Sequence, residues 1–173
     1  ETYKNDVVPQ LMTKRGYTSP LQAPRLLKIV LNSGVGTSKD KEVLQSAVDT
    51  LTAITGQKPV ITKARKSISN FKLRDGMPVG TSVTLRRGVM YNFLYRLINV
   101  ALPRVRDFRG IPKKAFDGAG NYTFGLTDQS VFTEIDLDRI KHTLGMNITL
   151  VTTAATDEEA RDLLGLLGMP FES

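Results

Sequence analysis

The sequence predicts an α+β architecture in which helices stack on one face of a sheet and leave the other face open. Two observations carry this. Segments with two-residue hydrophobic alternation interleave with segments of helical spacing, and no regular βαβ repeat links them. The strand segments alternate apolar with polar residues, so each has one face to bury. With 173 residues, the chain suffices for one sizeable domain and is short for two, so residues 1–173 are expected to form a single unit. There is no cysteine, which excludes a disulfide framework and thiolate metal ligation. No apolar run exceeds three residues, far short of the roughly 20 that a membrane-spanning helix needs. No hydrophobic signal segment is visible, and Glu1 in place of Met puts the expected N-terminus a little upstream.

The elements follow in order. Val7, Val8, Leu11 and Met12 predict a short N-terminal helix with Pro9 near its first turn. Residues 25–32 alternate as a strand, with Leu27, Ile29 and Leu31 on one face and Lys28, Val30 and Asn32 on the other. Val43, Leu44, Ala47, Val48, Leu51 and Ile54 keep helical spacing, and Gly56 supplies the stop. Residues 58–71 read as a broken strand dense in Lys and Arg. Residues 78–86 alternate again: Val79, Thr81, Val83 and Leu85 face one way, and Gly80, Ser82, Thr84 and Arg86 the other. The strongest helical stripe comprises Val89, Met90, Phe93, Leu94, Leu97, Ile98, Ala101 and Leu102, closed by Pro103. A Gly- and aromatic-rich loop spans 107–125 and leads into a strand at 121–126. Asn147–Thr153 is another strand, and Asp157–Leu167 a closing helix capped by Thr156 or Asp157.

Charge is the informative part of the composition. The net charge is +7, but residues 58–114 hold 14 basic and 2 acidic side chains, whereas residues 115–173 hold 3 basic and 10 acidic. So large a local excess would repel itself in isolation, and it points to a polyanionic partner, nucleic acid before an anionic membrane. The outward residues of the two clearest strands, Lys28, Asn32, Ser82, Thr84 and Arg86, include no carboxylate. Small hydroxyl and amide groups beside cations suit phosphate oxygens and 2′-hydroxyls.

Nothing in the sequence resembles an active site. Gly34-Val35-Gly36 follows a strand, but Lys39 stands where a dinucleotide fingerprint needs its third glycine. The single histidine, His142, has no partner at metal-ligand or triad spacing, so no metal site and no cofactor is expected. Glu134, Asp136 and Asp138 form one dense carboxylate group without a second cluster to converge on, and read as an acidic surface or a helix cap. The strongest functional segment is 54–74. There Lys58, Lys63, Arg65, Lys66, Lys72 and Arg74 are interleaved with Thr62, Ser67, Ser69, Asn70 and Phe71, with no acid between Asp49 and Asp75.

The run Leu51-Thr52-Ala53-Ile54-Thr55-Gly56-Gln57-Lys58-Pro59-Val60-Ile61-Thr62-Lys63-Ala64-Arg65-Lys66-Ser67 resembles the signature of the large-subunit ribosomal protein L-five family, which binds 5S ribosomal RNA. The resemblance continues at Pro24-Arg25, Leu31–Gly36, Phe71-Lys72, the Gly-x-Pro-x-Gly-like stretch at 76–80, and Val83–Arg86. It extends through Pro103–Gly110, Phe116–Tyr122, Glu134-Ile135-Asp136 and Asp157-Glu158-Glu159, and so covers essentially the whole chain in order. Met77 and Ala119 are its small departures.

The resemblance implies an antiparallel sheet and a structural, non-enzymatic role in the central protuberance of the large subunit of the cytoplasmic ribosome. It implies that Asn32, Gln57 and Thr84 direct hydrogen bonds to 5S ribosomal RNA, that Lys58, Lys63, Arg65, Lys66 and Arg86 hold its phosphates, and that Thr62 and Ser67 belong to the same binding set. It also implies a loop at about 72–80, with Lys72, Arg74, Asp75, Gly76, an exposed Met77 and Pro78, that reaches P-site transfer RNA. A second protruding loop is expected at about 107–120. Glu134, Asp136 and Asp138 are expected to face the small-subunit protein S-thirteen, and 23S ribosomal RNA is a further expected partner. An extraribosomal RNA-binding or regulatory protein is the alternative that the same basic surface would serve.

Overall fold

Strand β1 (Leu26–Gly34) occupies the centre of the fold because its inward residues, Ile29, Leu31 and Ser33, need cover that neighbours on both sides supply. The computed structural model describes residues 3–34, 41–65, 67, 76–105, 110–136, 138 and 143–172. Around β1 the chain adds α1 (Val8–Arg15), α2 (Lys41–Thr55), β2 (Val60–Lys63), β3 (Pro78–Leu85), α3 (Arg87–Arg96), β4 (Tyr122–Leu126), β5 (Met146–Thr152) and α4 (Asp157–Leu166). The five strands form one sheet in the order β2-β3-β1-β5-β4, and every neighbouring pair is antiparallel.

Ile29, Leu31, Val83, Leu85, Ile148 and Leu150 present one apolar sheet face. Leu51 and Ile54 of α2, Met90, Phe93 and Leu94 of α3, and Leu164 of α4 cover it. Each such buried side chain contributes roughly 1.5–3 kcal/mol relative to exposure. Gly56 ends α2 as expected: its φ is +75°, and its N–H donates to the Thr52 carbonyl at 2.8 Å. Thr156 is the cap of α4, its Oγ1 accepting from the Glu159 N–H at 3.4 Å. Helix α1, entered through a π-type turn at Tyr3–Val7, lays Val8 and Leu11 against Leu163 of α4. Lys14 and Arg15 then clasp Asp162.

The structure corrects the sequence reading at several points. Leu27 is 40% exposed rather than buried, because the pairing of β1 with β5 shifts register between Leu26 and Lys28, and Leu26 takes the core position. The helical stripe of 89–102 is not one α-helix. It ends at Arg96 and continues as a π-type turn (Leu97–Ala101) and a 3₁₀ turn (Leu102–Arg104) that contains Pro103. Val89, counted in that stripe, is exposed. Pro78, Val79 and Gly80 open β3, as the alternation over 78–86 predicts, so the loop expected at 72–80 stops short of them; Pro78 lies opposite the register shift at Lys63. Met77 is half-buried beside the strand ends, where its carbonyl accepts from the Ala64 N–H at 2.8 Å, so it is not an exposed tip.

Within the stretch read as a loop, residues 110–121 are tied to the body. Asp117 Oδ1 accepts from the N–H groups of Ala119 and Asn121, and Phe116 pairs with Tyr122. Gly120 has φ +84° and lies so close to the chain leading into α4 that a Cβ there would meet the Ala154 carbonyl at 2.6 Å. Its N–H donates to Asp157 Oδ1, and its carbonyl accepts from the Thr152 hydroxyl. A side chain at this position is excluded on both counts.

Burial alone would raise the Asp162 carboxyl, but hydrogen bonds from Lys14 and Arg15 outweigh it and hold the pKa below the ordinary carboxylate value. A carboxyl depressed in the folded state adds stability above its unfolded pKa and loses that contribution as pH falls through the folded one. Asp162→Ala is therefore expected to cost about 1 kcal/mol at pH 7, the difference from wild type shrinking as pH drops below about 4. Urea unfolding across that range measures it. Thr81 is fully buried, and its Oγ1 has no hydrogen-bond partner among the described residues. Replacing it with the isosteric valine removes an unsatisfied group, so Thr81→Val should raise the unfolding free energy by about 1 kcal/mol.

Candidate nucleic-acid interface

The helices cover one face of the sheet and leave the opposite face to solvent, and strand register decides which side chains share that open face. Val60, Ser82, Asn32, Asn147 and Gly125 are successive partners across all five strands and form one row. Thr84, Val30, Thr149 and Thr123 form the next row across four strands. At the usual strand spacing the first row is about 19 Å wide. Asn32, Thr84, Asn147 and Thr123 are exposed, and Ser82 and Thr149 are half-exposed. Among the described strand residues, this face carries no carboxylate.

Alternation had placed Asn32, Ser82, Thr84, Lys28 and Arg86 on this face, and the register brings Asn32 and Ser82 directly opposite one another. Arg86 follows β3 as the residue preceding α3, exposed. Thr62 pairs with Gly80 on the same side, and the close approach there depends on glycine. A Cβ on Gly80 would stand 2.7 Å from the Ser33 carbonyl and 3.2 Å from Thr62 Oγ1.

The basic segment enters the sheet as its edge strand. After α2, the Thr55 hydroxyl accepts from the Gln57 N–H at 3.2 Å and fixes the turn. Exposed Lys58 then precedes β2, exposed Lys63 ends it, and exposed Arg65 follows buried Ala64. Ala64 anchors the strand end with two backbone bonds, to Met77 and from Gly76. Lys28, Lys58, Lys63, Arg65 and Arg86 make no ion pair among the described residues. Ser67 is exposed. Lys66, Lys72, Arg74 and Asp75 lie outside the described residues, as do Val35, Gly36, Phe71 and His142.

Glu134, Asp136 and Asp138 lie on neither a strand nor an α-helix. Glu134 is paired with Arg96 at 2.5 Å, and Asp136 Oδ1 accepts from the Asp138 N–H at 3.0 Å. Among the described residues, no group of His, Asp or Glu is placed to hold a metal ion.

Sequence reasoning missed the β5 and β4 contribution to the open face. The signal was present: Met146, Ile148, Leu150 and Thr152 are buried, while Asn147, Thr149 and Val151 fill the intervening positions. The strand was recognised, but the neighbours that make its outer residues continuous with Asn32 are set by pairing.

Comparison with known proteins covers nearly the whole chain. Residues 19–74 match the family described as ribosomal protein L5, and residues 78–171 match the C-terminus of that same ribosomal family. The chain is 59% identical to the large ribosomal subunit protein uL5 of Desulfatibacillum aliphaticivorans, over 98% of this chain and 95% of that protein. It is 59% identical to the protein of the same name from Clostridium kluyveri, over 99% and 95%. For that of Lactobacillus acidophilus the identity is 58%, over 99% and 96%. With family matches at residues 19–74 and 78–171 and relatives 59% identical over nearly the whole chain, the chain belongs to the uL5 family of large ribosomal subunit proteins, RNA-binding structural constituents of the ribosome.

Proposed function

We propose that this chain binds 5S ribosomal RNA on the open face of its sheet and helps attach it in the central protuberance of the large subunit. The observation that carries this reading is the face itself, with its rows of amides and hydroxyls free of carboxylates and bordered by cations that make no ion pair among the described residues. Lys58, Lys63, Arg65 and Arg86, with Lys66 beside them in sequence, neutralise phosphates. Asn32, Gln57, Thr62, Ser67 and Thr84 direct hydrogen bonds that fix the register of the RNA.

Two further contacts belong to the same reading. The segment that leads from β2 into β3, with Lys72, Arg74, Asp75, Gly76, Met77 and the first strand residue Pro78, meets P-site transfer RNA, and the backbone bonds of Ala64 with Gly76 and Met77 hold its described ends together. The acidic group meets the basic small-subunit protein S-thirteen through Asp136 and Asp138, which are exposed, while Glu134 stays with Arg96. 23S ribosomal RNA is a further partner in this reading.

The salt dependence of 5S ribosomal RNA binding tests the phosphate contacts. Log affinity should fall linearly with log salt, and each of Lys58→Gln, Lys63→Gln and Arg65→Gln should flatten the slope by about 0.7 to 0.9. An affinity indifferent to salt would refute the assignment. The neutral contacts should behave oppositely. Asn32→Ala and Thr84→Val remove exposed groups from the face, so each should lose about 1–3 kcal/mol of binding with the slope and the melting temperature unchanged. Wild-type affinity in both would move the RNA to another surface.

A further inference from the structure

The open face is electrically divided. Its cations, Lys58, Lys63, Arg65, Arg86 and Lys28, belong to β1, β2, β3 and the residues adjoining them, whereas β4 and β5 contain no Lys, Arg, Asp or Glu. The uncharged half is nevertheless polar. Asn147 is exposed and lies between Asn32 on one side and Gly125 on the other. Because residue 125 has no side chain, the flank of the Asn147 amide is open; a Cβ there would stand 3.3 Å from Oδ1. Neither the Asn32 nor the Asn147 amide has a hydrogen-bond partner within the protein among the described residues. In the adjacent row the hydroxyls of Thr149 and Thr123 lie 3.0 Å apart. One donates to the other, which leaves one hydroxyl proton and several lone pairs directed at solvent.

Groups of this kind can donate to a phosphate oxygen, but here no cation of β4 or β5 stands beside them to hold its charge. They release no counterions and add no Coulomb attraction, but they offer donors and acceptors together at fixed positions. The chemistry that matches is a group that is itself both donor and acceptor. A ribose 2′-hydroxyl fits, as does a base edge, and both are displayed in the wide, shallow minor groove of an RNA helix. We infer that the β4–β5 half of the face is a neutral reading surface for 2′-hydroxyls and base edges, with Asn147, Thr149 and Thr123 as its contacts. The inference rests on the proposed binding of 5S ribosomal RNA. It orients the bound RNA, with phosphates over β2 and β3 and the groove interior over β1, β5 and β4.

The test is a titration of the intact chain with 5S ribosomal RNA over a salt series, comparing Asn147→Ala and Thr149→Val with Asn32→Ala. Asn147→Ala and Thr149→Val are each expected to weaken binding about 5- to 50-fold, with the log–log salt slope and the melting temperature of the free protein unchanged. If both bind as wild type while Asn32→Ala is weakened, the RNA stops at β1 and the inference fails, although the proposed function stands. If all three bind as wild type, both fail together. If Asn147→Lys or Thr149→Lys instead binds more tightly than wild type with a salt slope steeper by about 0.7 or more, a phosphate lies over these strands and the neutral reading is overturned.

Discussion

Strand β1 pairs with β3 on one side and β5 on the other, and its register governs both surfaces of the molecule. Ile29 and Leu31 face the helices, so Val30 and Asn32 must face away. A slip of one residue would exchange the two sets, burying an amide beneath α2 and α3 and exposing two large aliphatic side chains. Core stability and the chemistry of the open face are therefore one constraint. The apolar residues hold the register, and the register lines up Ser82, Asn32 and Asn147 in a row. The shift between Leu26 and Lys28 shows how local the tolerance is: pairing is irregular at the strand's start, and only Leu27 is turned out of the core.

The two signs of charge do different work. Acidic side chains in the last third of the chain are mostly engaged within the protein. Asp117 holds the 117–121 turn, with a pKa below the ordinary value chiefly because of the Asn121 side-chain hydrogen bond. Asp128 caps the turn at Gln129–Val131, Asp157 binds the Gly120 N–H, Glu159 reaches the Ala155 N–H, and Asp162 ties α4 to α1. Such groups stabilise exposed N–H groups and helix starts. The cations bordering the open face have no comparable internal task among the described residues. A folded protein that uses its carboxylates internally and leaves its basic side chains unpaired on one face presents a surface suited to a polyanion.

The helical layer is fastened to that sheet at a few points that the sequence marks with glycine and aromatic residues. Tyr122 is fully buried. Its ring packs with Phe116, Phe124 and Phe171, and its hydroxyl donates to the Pro112 carbonyl at 2.6 Å. Burial raises its pKa well above that of a free phenol. Gly120, one residue before Asn121 and β4, allows the chain to pass against Ala154. The closing helix, the 110–121 segment and the outer strand are thus joined beside the β4 edge.

By itself the sequence determined the elements, the basic segment and the family. Periodicity located each strand and α-helix because each has a single face to bury, and the charge count identified a polyanion partner before any contact was known. The motifs from Leu51 to Ser67 carried the relationship, since they place particular residues rather than a composition. Tertiary structure alone decided which strands are neighbours. Antiparallel pairing of β1 with both β3 and β5 joins residues that in the second case lie more than a hundred positions apart, and no local pattern encodes that choice. For the same reason the sequence could place Asn32 and Thr84 on a face yet not see that Asn147, Thr149 and Thr123 extend it. It could not see that Glu134 is occupied by Arg96, or that Met77 lies beside a strand end, because long-range pairing and not local propensity sets both.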